Sequence, residues 1–110
     1  MGGGNPWAGE VALTLDGRRH VLKLTLGALA AMEAAMEADG ITAMVARFET
    51  GAFSARDVAA VLLAGLRGGG WRGTAAALLD GDIEGGPVEA TRVAAALLGR
   101  AFALPGGGAS

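Results

Sequence analysis

Cysteine is absent from the 110 residues. There is therefore no disulfide framework, no thiolate nucleophile and no zinc-cysteine site, and the fold rests on packing. Histidine and lysine occur once each, as His20 and Lys23, and serine twice, as Ser54 and Ser110. Ser54 opens a helix and Ser110 ends the chain, so no Ser-His-Asp constellation can be assembled. His20 lies at a strand edge beside Arg18 and Arg19 and reads as a surface residue rather than a ligand or general base. Long apolar runs are also missing: the longest, around residues 58–66, is far shorter than the ~20 residues of a membrane-spanning helix. Neither sign of charge dominates, since eleven acids and nine bases leave a net charge of −2, and without a basic block nucleic-acid binding is disfavoured. The opening MGGGN has no basic, apolar or cleavable region of a secretory signal, which points to a cytoplasmic protein.

Small residues are what the chain has in quantity. Hydrophobic residues make up 52% and mean hydropathy is +0.43, but 25 of those residues are alanine. A chain of this length fits one domain with one core.

Residues 10–15, EVALTL, alternate as a half-buried strand does, and Asp16-Gly17 signals a turn. Residues 20–26 alternate again, with Leu22, Leu24 and Leu26 on one face. An even-length loop places Val11 and Leu13 on that same face; a three-residue loop would split them. The period then becomes helical, with Leu29, Met32 and Met36 on one side and Glu33 and Glu37 on the other, until Asp39-Gly40. Ile41, Met44, Val45 and Phe48 mark a second helix, with Thr42 as a cap, before Gly51.

The clearest helix start is Ser54, whose hydroxyl can accept from the amide of Asp57 while the Asp57 carboxylate reaches back, a capping box with Asp in the usual Glu place. Phe53 and Val58 occupy the positions of a hydrophobic staple. The buried stripe of this third helix is Val58, Val61, Leu62, Gly65 and Leu66. Thr74 can cap a short fourth segment, and Gly85-Gly86-Pro87 precedes a last helix striped with Val93, Leu97, Ala101 and Leu104, broadened by Leu98 and Phe102 into a surface expected to be mostly buried.

Several stretches could carry chemistry. The glycine triplet 68–70 lacks the preceding strand and the Gly-Lys-Ser/Thr ending of a phosphate loop, and it does not fit a dinucleotide fingerprint; it reads as a helix stop. Asp80, Asp82 and Glu84 lack the twelve-residue calcium-loop pattern and read as a solvated turn. Met32, Met36 and Met44 suit either core filling or an adaptable apolar contact. Trp71, flanked by Arg67 and Arg72, has the composition of an interface anchor, or else folds back to seal the core.

The order "LTLGALAAMEAA", "RFETGAFSARDVAAVLLAGLRGGG", "IEGGPVEATRVAAALLGRAFAL" resembles the gene transfer agent family of small phage-type tail proteins, found among the tail genes of domesticated prophage-like particles of alphaproteobacteria. The likeness runs over residues 7–104 and is most specific in 47–70 and 83–86. It implies a role in building a tail, as tail assembly chaperone or as tail tube protein, and no enzyme. It carries no catalytic or ligand-binding positions onto this chain.

The expected fold is α+β, an N-terminal β-hairpin packed through Leu22, Leu24 and Leu26 on four or five helices, chiefly the third and the last, so that a charge at Leu24 unfolds the domain. Residues 7–104 form the domain, and 1–6 and 105–110 are glycine-rich tails. The expected function is a non-enzymatic tail assembly chaperone with an apolar helical client such as a tape measure protein; a structural tube component and a general interaction module are the alternatives. Expected partners are other tail proteins, with a homo-oligomer left open, and neither nucleic acid, membrane, cofactor nor metal. The contact residues are Met32, Met36, Met44, Arg67, Trp71 and Arg72, in a protein that is cytoplasmic or carried into a phage-like particle.

Overall fold

The computed structural model describes residues 11–35 and 40–102. Strands Val11–Leu15 (β1) and Arg18–Leu22 (β2) form an antiparallel hairpin, followed by helices Leu26–Ala35 (α1), Gly40–Thr50 (α2), Ala55–Gly68 (α3), Ala75–Asp80 (α4) and Gly86–Ala101 (α5). This is the expected α+β, mostly helical architecture. The tails expected at 1–6 and 105–110, the helix end at Asp39, and Met36, Glu37 and Leu104 lie outside the described residues. Among the described residues no helix is long and apolar enough to cross a membrane.

The hairpin turns through two residues, Asp16 and Gly17, whose φ values of 53° and 80° are both positive, as a type I′ turn requires. The even loop fixes the parity: Val11 pairs with Leu22, and Val11, Leu13, Leu15 and Leu22 are all buried. The second strand differs from expectation. It begins at Arg18 and stops at Leu22, because the Lys23 amide leaves the ladder to donate to the Gly65 carbonyl at 3.0 Å. Two residues later the Thr25 hydroxyl accepts from the Ala28 amide at 3.0 Å and starts α1, so a residue expected in a strand serves as a helix cap. Leu24 is consequently half-buried and Leu26 is 83% exposed. Leu22, fully buried, anchors this face in place of the Leu22, Leu24 and Leu26 row.

Helix α3 is the spine. Its capping box is complete: the Ser54 hydroxyl accepts from the Asp57 amide at 3.1 Å and the Asp57 carboxylate accepts from the Ser54 amide at 3.0 Å. Val58, Val61, Leu62, Gly65 and Leu66 are buried as expected. The helix packs against α5, α1, α4 and β2, while β1 lies on α5. At its end the amide of Gly70 donates to Arg67 and that of Trp71 to Leu66, a Schellman motif with Gly70 at φ 105° in the left-handed position.

Gly68 and Gly69 serve a different purpose. A Cβ on Gly68 would overlap the Lys23 carbonyl, and one on Gly69 the Val21 carbonyl. On the adjoining turn, a Cβ on Gly65 would sit 2.7 Å from Leu97 Cδ1 and 3.2 Å from Leu22 Cβ. The triplet is thus a helix stop, and it is also the place where strand backbone crosses helix backbone with no side chain between them.

Met44 of α2 is buried, with Ile41, Val45 and Phe48 packed on the core; Thr42 lies inside α2 and is exposed. Thr74 caps α4 through the Ala77 amide at 3.1 Å. In α5, Ala90, Val93, Ala94, Leu97 and Leu98 are buried, but Ala101 is exposed and Phe102 retains 36% exposure, so the apolar stripe outlasts the core it packs on.

Gly68→Ala is expected to lower stability by about 1–3 kcal/mol, since the new methyl meets a backbone carbonyl that cannot rotate away. Gly99→Ala, in α5 with open space around it, should raise stability by up to about 1 kcal/mol through helix propensity alone. Urea denaturation of the two variants checks the contrast.

Candidate functional site: an apolar groove

Residues 82–84 set up the surface. The Asp16 amide donates to the Asp82 carbonyl and the Asp82 amide to Asp16 Oδ1, both at 2.8 Å, and the Glu84 amide donates to the Thr14 carbonyl at 3.0 Å. Leu15 and Ile83 form an antiparallel bridge. This segment covers part of the outer edge of β1 and ties the connection between α4 and α5 to the hairpin.

Between them, over the first half of α3, lies a groove of about 460 Å³. Val58, Leu62, Leu78 and Ala90, all buried, take part in its lining. Leu79, 67% exposed, and Pro87 stand at its sides, and Val88, 80% exposed, follows Pro87. Much of the remaining lining is small: Ala55, Ala59, Gly81 and Gly86. Asp82 lines the groove beside Asp80 and Glu84. Outside the lining, Arg92 of α5 holds Glu89 through two contacts of 2.7 and 2.9 Å, which keeps the Glu89 carboxyl below its usual range. An apolar trough with few fixed polar groups favours an apolar occupant and is poorly equipped for chemistry.

A second feature joins α2 to α3. Arg47 grips Asp57 with Nε to Oδ2 at 2.8 Å and Nη2 to Oδ1 at 2.9 Å, while Phe48 stacks on Phe53 at a ring separation of 4.8 Å. Asp57 thus closes the capping box and accepts a forked guanidinium at once. The Arg47 hydrogen bonds hold its carboxyl below the usual carboxylate range against the opposing effect of burial. The helix cap is legible from spacing; Arg47, ten residues upstream, is not.

The six expected contact residues separate. Met32 and Met44 are 4% and 1% exposed and fill the core, so in this fold they present no contact surface, because the helical spacing that groups them also turns them inward. Met36 lies outside the described residues. Arg67, Trp71 and Arg72 share the turn after α3. There Trp71 folds back, half-buried, with its ring packed on Gly73 and edge-on to His20 at 6.4 Å. Arg67 and Arg72 are exposed, with Arg67 Nη2 3.5 Å from the Gly73 carbonyl. Among the described residues no three histidine or acidic side chains converge to hold a metal ion. The groove was not foreseen from sequence; its signal, small residues repeating at 55, 59, 86 and 90, is hard to see in a chain so rich in alanine and glycine.

Residues 8–104 match the model of a protein family described as phage tail tube protein, GTA-gp10. Searches of curated proteins and of solved structures return no match.

Asp57→Asn is expected to cost about 1–3 kcal/mol at neutral pH, through loss of the charged fork and of a cap acceptor. Because the folded carboxyl titrates below its unfolded value, its contribution is complete above the unfolded pKa and fades as pH falls through the folded one. The gap between wild type and variant should therefore close in acid, below about pH 4, as read by urea midpoints across a pH series.

Proposed function

The chain belongs to the phage tail tube protein family GTA-gp10, and on that footing we propose that it acts as a tail assembly chaperone, holding an apolar helical segment of another tail protein, such as the tape measure protein, before the tube closes around it. Membership supports a structural, non-enzymatic part in tail building. The finer reading rests on one observation, the open apolar groove over α3 on a domain that is otherwise well packed. An apolar groove flanked by helices, with small residues along part of its lining, takes a helix in the manner of known helix-in-groove complexes. Arg67, Trp71 and Arg72, in the turn that leads into α4, are proposed as a flanking contact. The cytoplasm is where such binding would take place.

A second reading, a subunit of the tube itself, is favoured by the family's own description. Weighing against it, the hairpin has only two strands, the outer edge of β1 is covered by residues 82–84, and the end of β2 is pressed on α3. Little free sheet edge is left from which a continuous wall could be built by strand pairing.

Affinity capture from producing cells, paired with protein counting by mass spectrometry in purified particles, separates the two. The chaperone reading expects the tape measure protein among captured species and few or no copies in particles. Leu79→Asp, at an exposed position, should reduce capture while leaving the thermal midpoint nearly unchanged. Copy numbers matching a tube would replace this reading with the structural one.

A further inference from the structure

The groove is apolar along its length but not electrically neutral around it. Asp80, Asp82 and Glu84 gather on the connection between α4 and α5, and Asp16 joins them through its hydrogen bond to the Asp82 amide. None of these four carboxylates is in an ion pair among the described residues. The nearby cation of α5, Arg92, is already held by Glu89. We propose that the occupant of the groove is an amphipathic helix of a partner protein that carries lysine or arginine in the turn lying against residues 80–84, so that the acidic connection fixes the direction in which the helix binds. This deepens the tail assembly reading and rests on it.

Three observations favour that occupant over others. The small lining at Ala55, Ala59, Gly81 and Gly86 lets a helix backbone approach closely, whereas an extended segment would need a free sheet edge to pair with, and residues 82–84 already use their backbone groups on β1. A folded second copy has less to offer: among the described residues the large apolar side chains left exposed, apart from Leu79 and Val88 beside the groove itself, are Leu26 and Phe102. Finally, uncompensated carboxylates beside an apolar trough attract cations and repel acidic segments, which gives direction and selectivity more than raw affinity.

Two labelled peptides of roughly 20 residues, long enough to populate helix, test this with the full chain. Both carry the same leucine and alanine face; one ends in a lysine-rich turn and the other in a glutamate-rich turn. Fluorescence anisotropy at low salt should show the lysine peptide binding about tenfold more tightly, as two or three exposed charge contacts would give, with the gap narrowing at high salt. The triple variant Asp80→Lys, Asp82→Lys, Glu84→Lys, which leaves only Asp16 acidic in the cluster, should reverse the preference, and Leu79→Asp should weaken both peptides. Reversal matters because indiscriminate adsorption of a cationic peptide would not move to the glutamate peptide. Equal binding, no binding, a preference that survives the charge reversal, or sedimentation showing the groove covered by a second copy would each overturn the proposal. Capture of the tape measure protein by wild type alongside any of those results would leave the tail assembly reading standing and remove only this one.

Discussion

The crossing of the β2 exit over the end of α3 is the constraint on which the rest of the fold depends. Two backbones meet there with no Cβ between them, and the Lys23 amide takes the Gly65 carbonyl as its partner in place of the sheet. Glycine in a helix interior costs up to about 1 kcal/mol relative to alanine. At Gly65 and Gly68 that cost is offset by what close approach allows: Leu22 reaches full burial, Thr25 is set to cap α1, and Trp71 turns back over the hairpin. The same crossing divides α3 into two halves. The C-terminal half is covered by the hairpin, α1 and Leu97 of α5, and the N-terminal half, joined to α2 through Asp57, is left partly open between α4 and the start of α5.

A second joint keeps the N-terminal half in place. Asp57 accepts from the Ser54 amide and from Arg47, so the start of α3 and the body of α2 are fixed by one carboxylate. Phe48 and Phe53 stack beside it. Charge-assisted forked bonds of this kind are geometrically demanding, and here the demand serves position: Ala55, Val58 and Ala59, one turn or less away, line the groove. The stability of the joint and the shape of the groove are therefore linked through the first turn of α3.

What could be read in the sequence follows a division by range. Parity of the hairpin, the capping box at Ser54, the buried stripe of α3 and the cap at Thr74 all rest on interactions within four residues or on strict periodicity, and these are written locally. The premature end of β2 was not legible, because alternation through Leu26 is equally good whether or not the Lys23 amide finds the carbonyl of Gly65, far along the chain. Nor was the bridge between Leu15 and Ile83, which ties the backbone of this turn to β1 while the side chains of Asp80, Asp82 and Glu84 stay exposed, as expected of a solvated turn. Met32 and Met44 show the limit from the other side: their spacing was compatible with both core and contact surface, and only packing decides for the core. Trp71 was open in the same way, and Gly73, by leaving room for the indole, tips it toward folding back. The groove was hidden because it depends on small side chains at Ala55, Ala59, Gly81, Gly86 and Ala90, which do not stand out in a chain so rich in alanine and glycine.

That smallness also bears on what the surface can recognise. A site built from leucine, valine and alanine with a single lining carboxylate has few directional groups, so it discriminates by shape and by the charge at one end more than by hydrogen-bond pattern. Such a surface tolerates variation along an apolar helix while still rejecting the wrong orientation. For the proposed chaperone role, in which stretches of a long helical chain are held and later released, a weak and repeated fit serves better than a deep, exacting pocket, since each added polar anchor would slow departure. The open groove therefore follows in part from the use of alanine and glycine along α3, α4 and α5 at positions where larger side chains would close it.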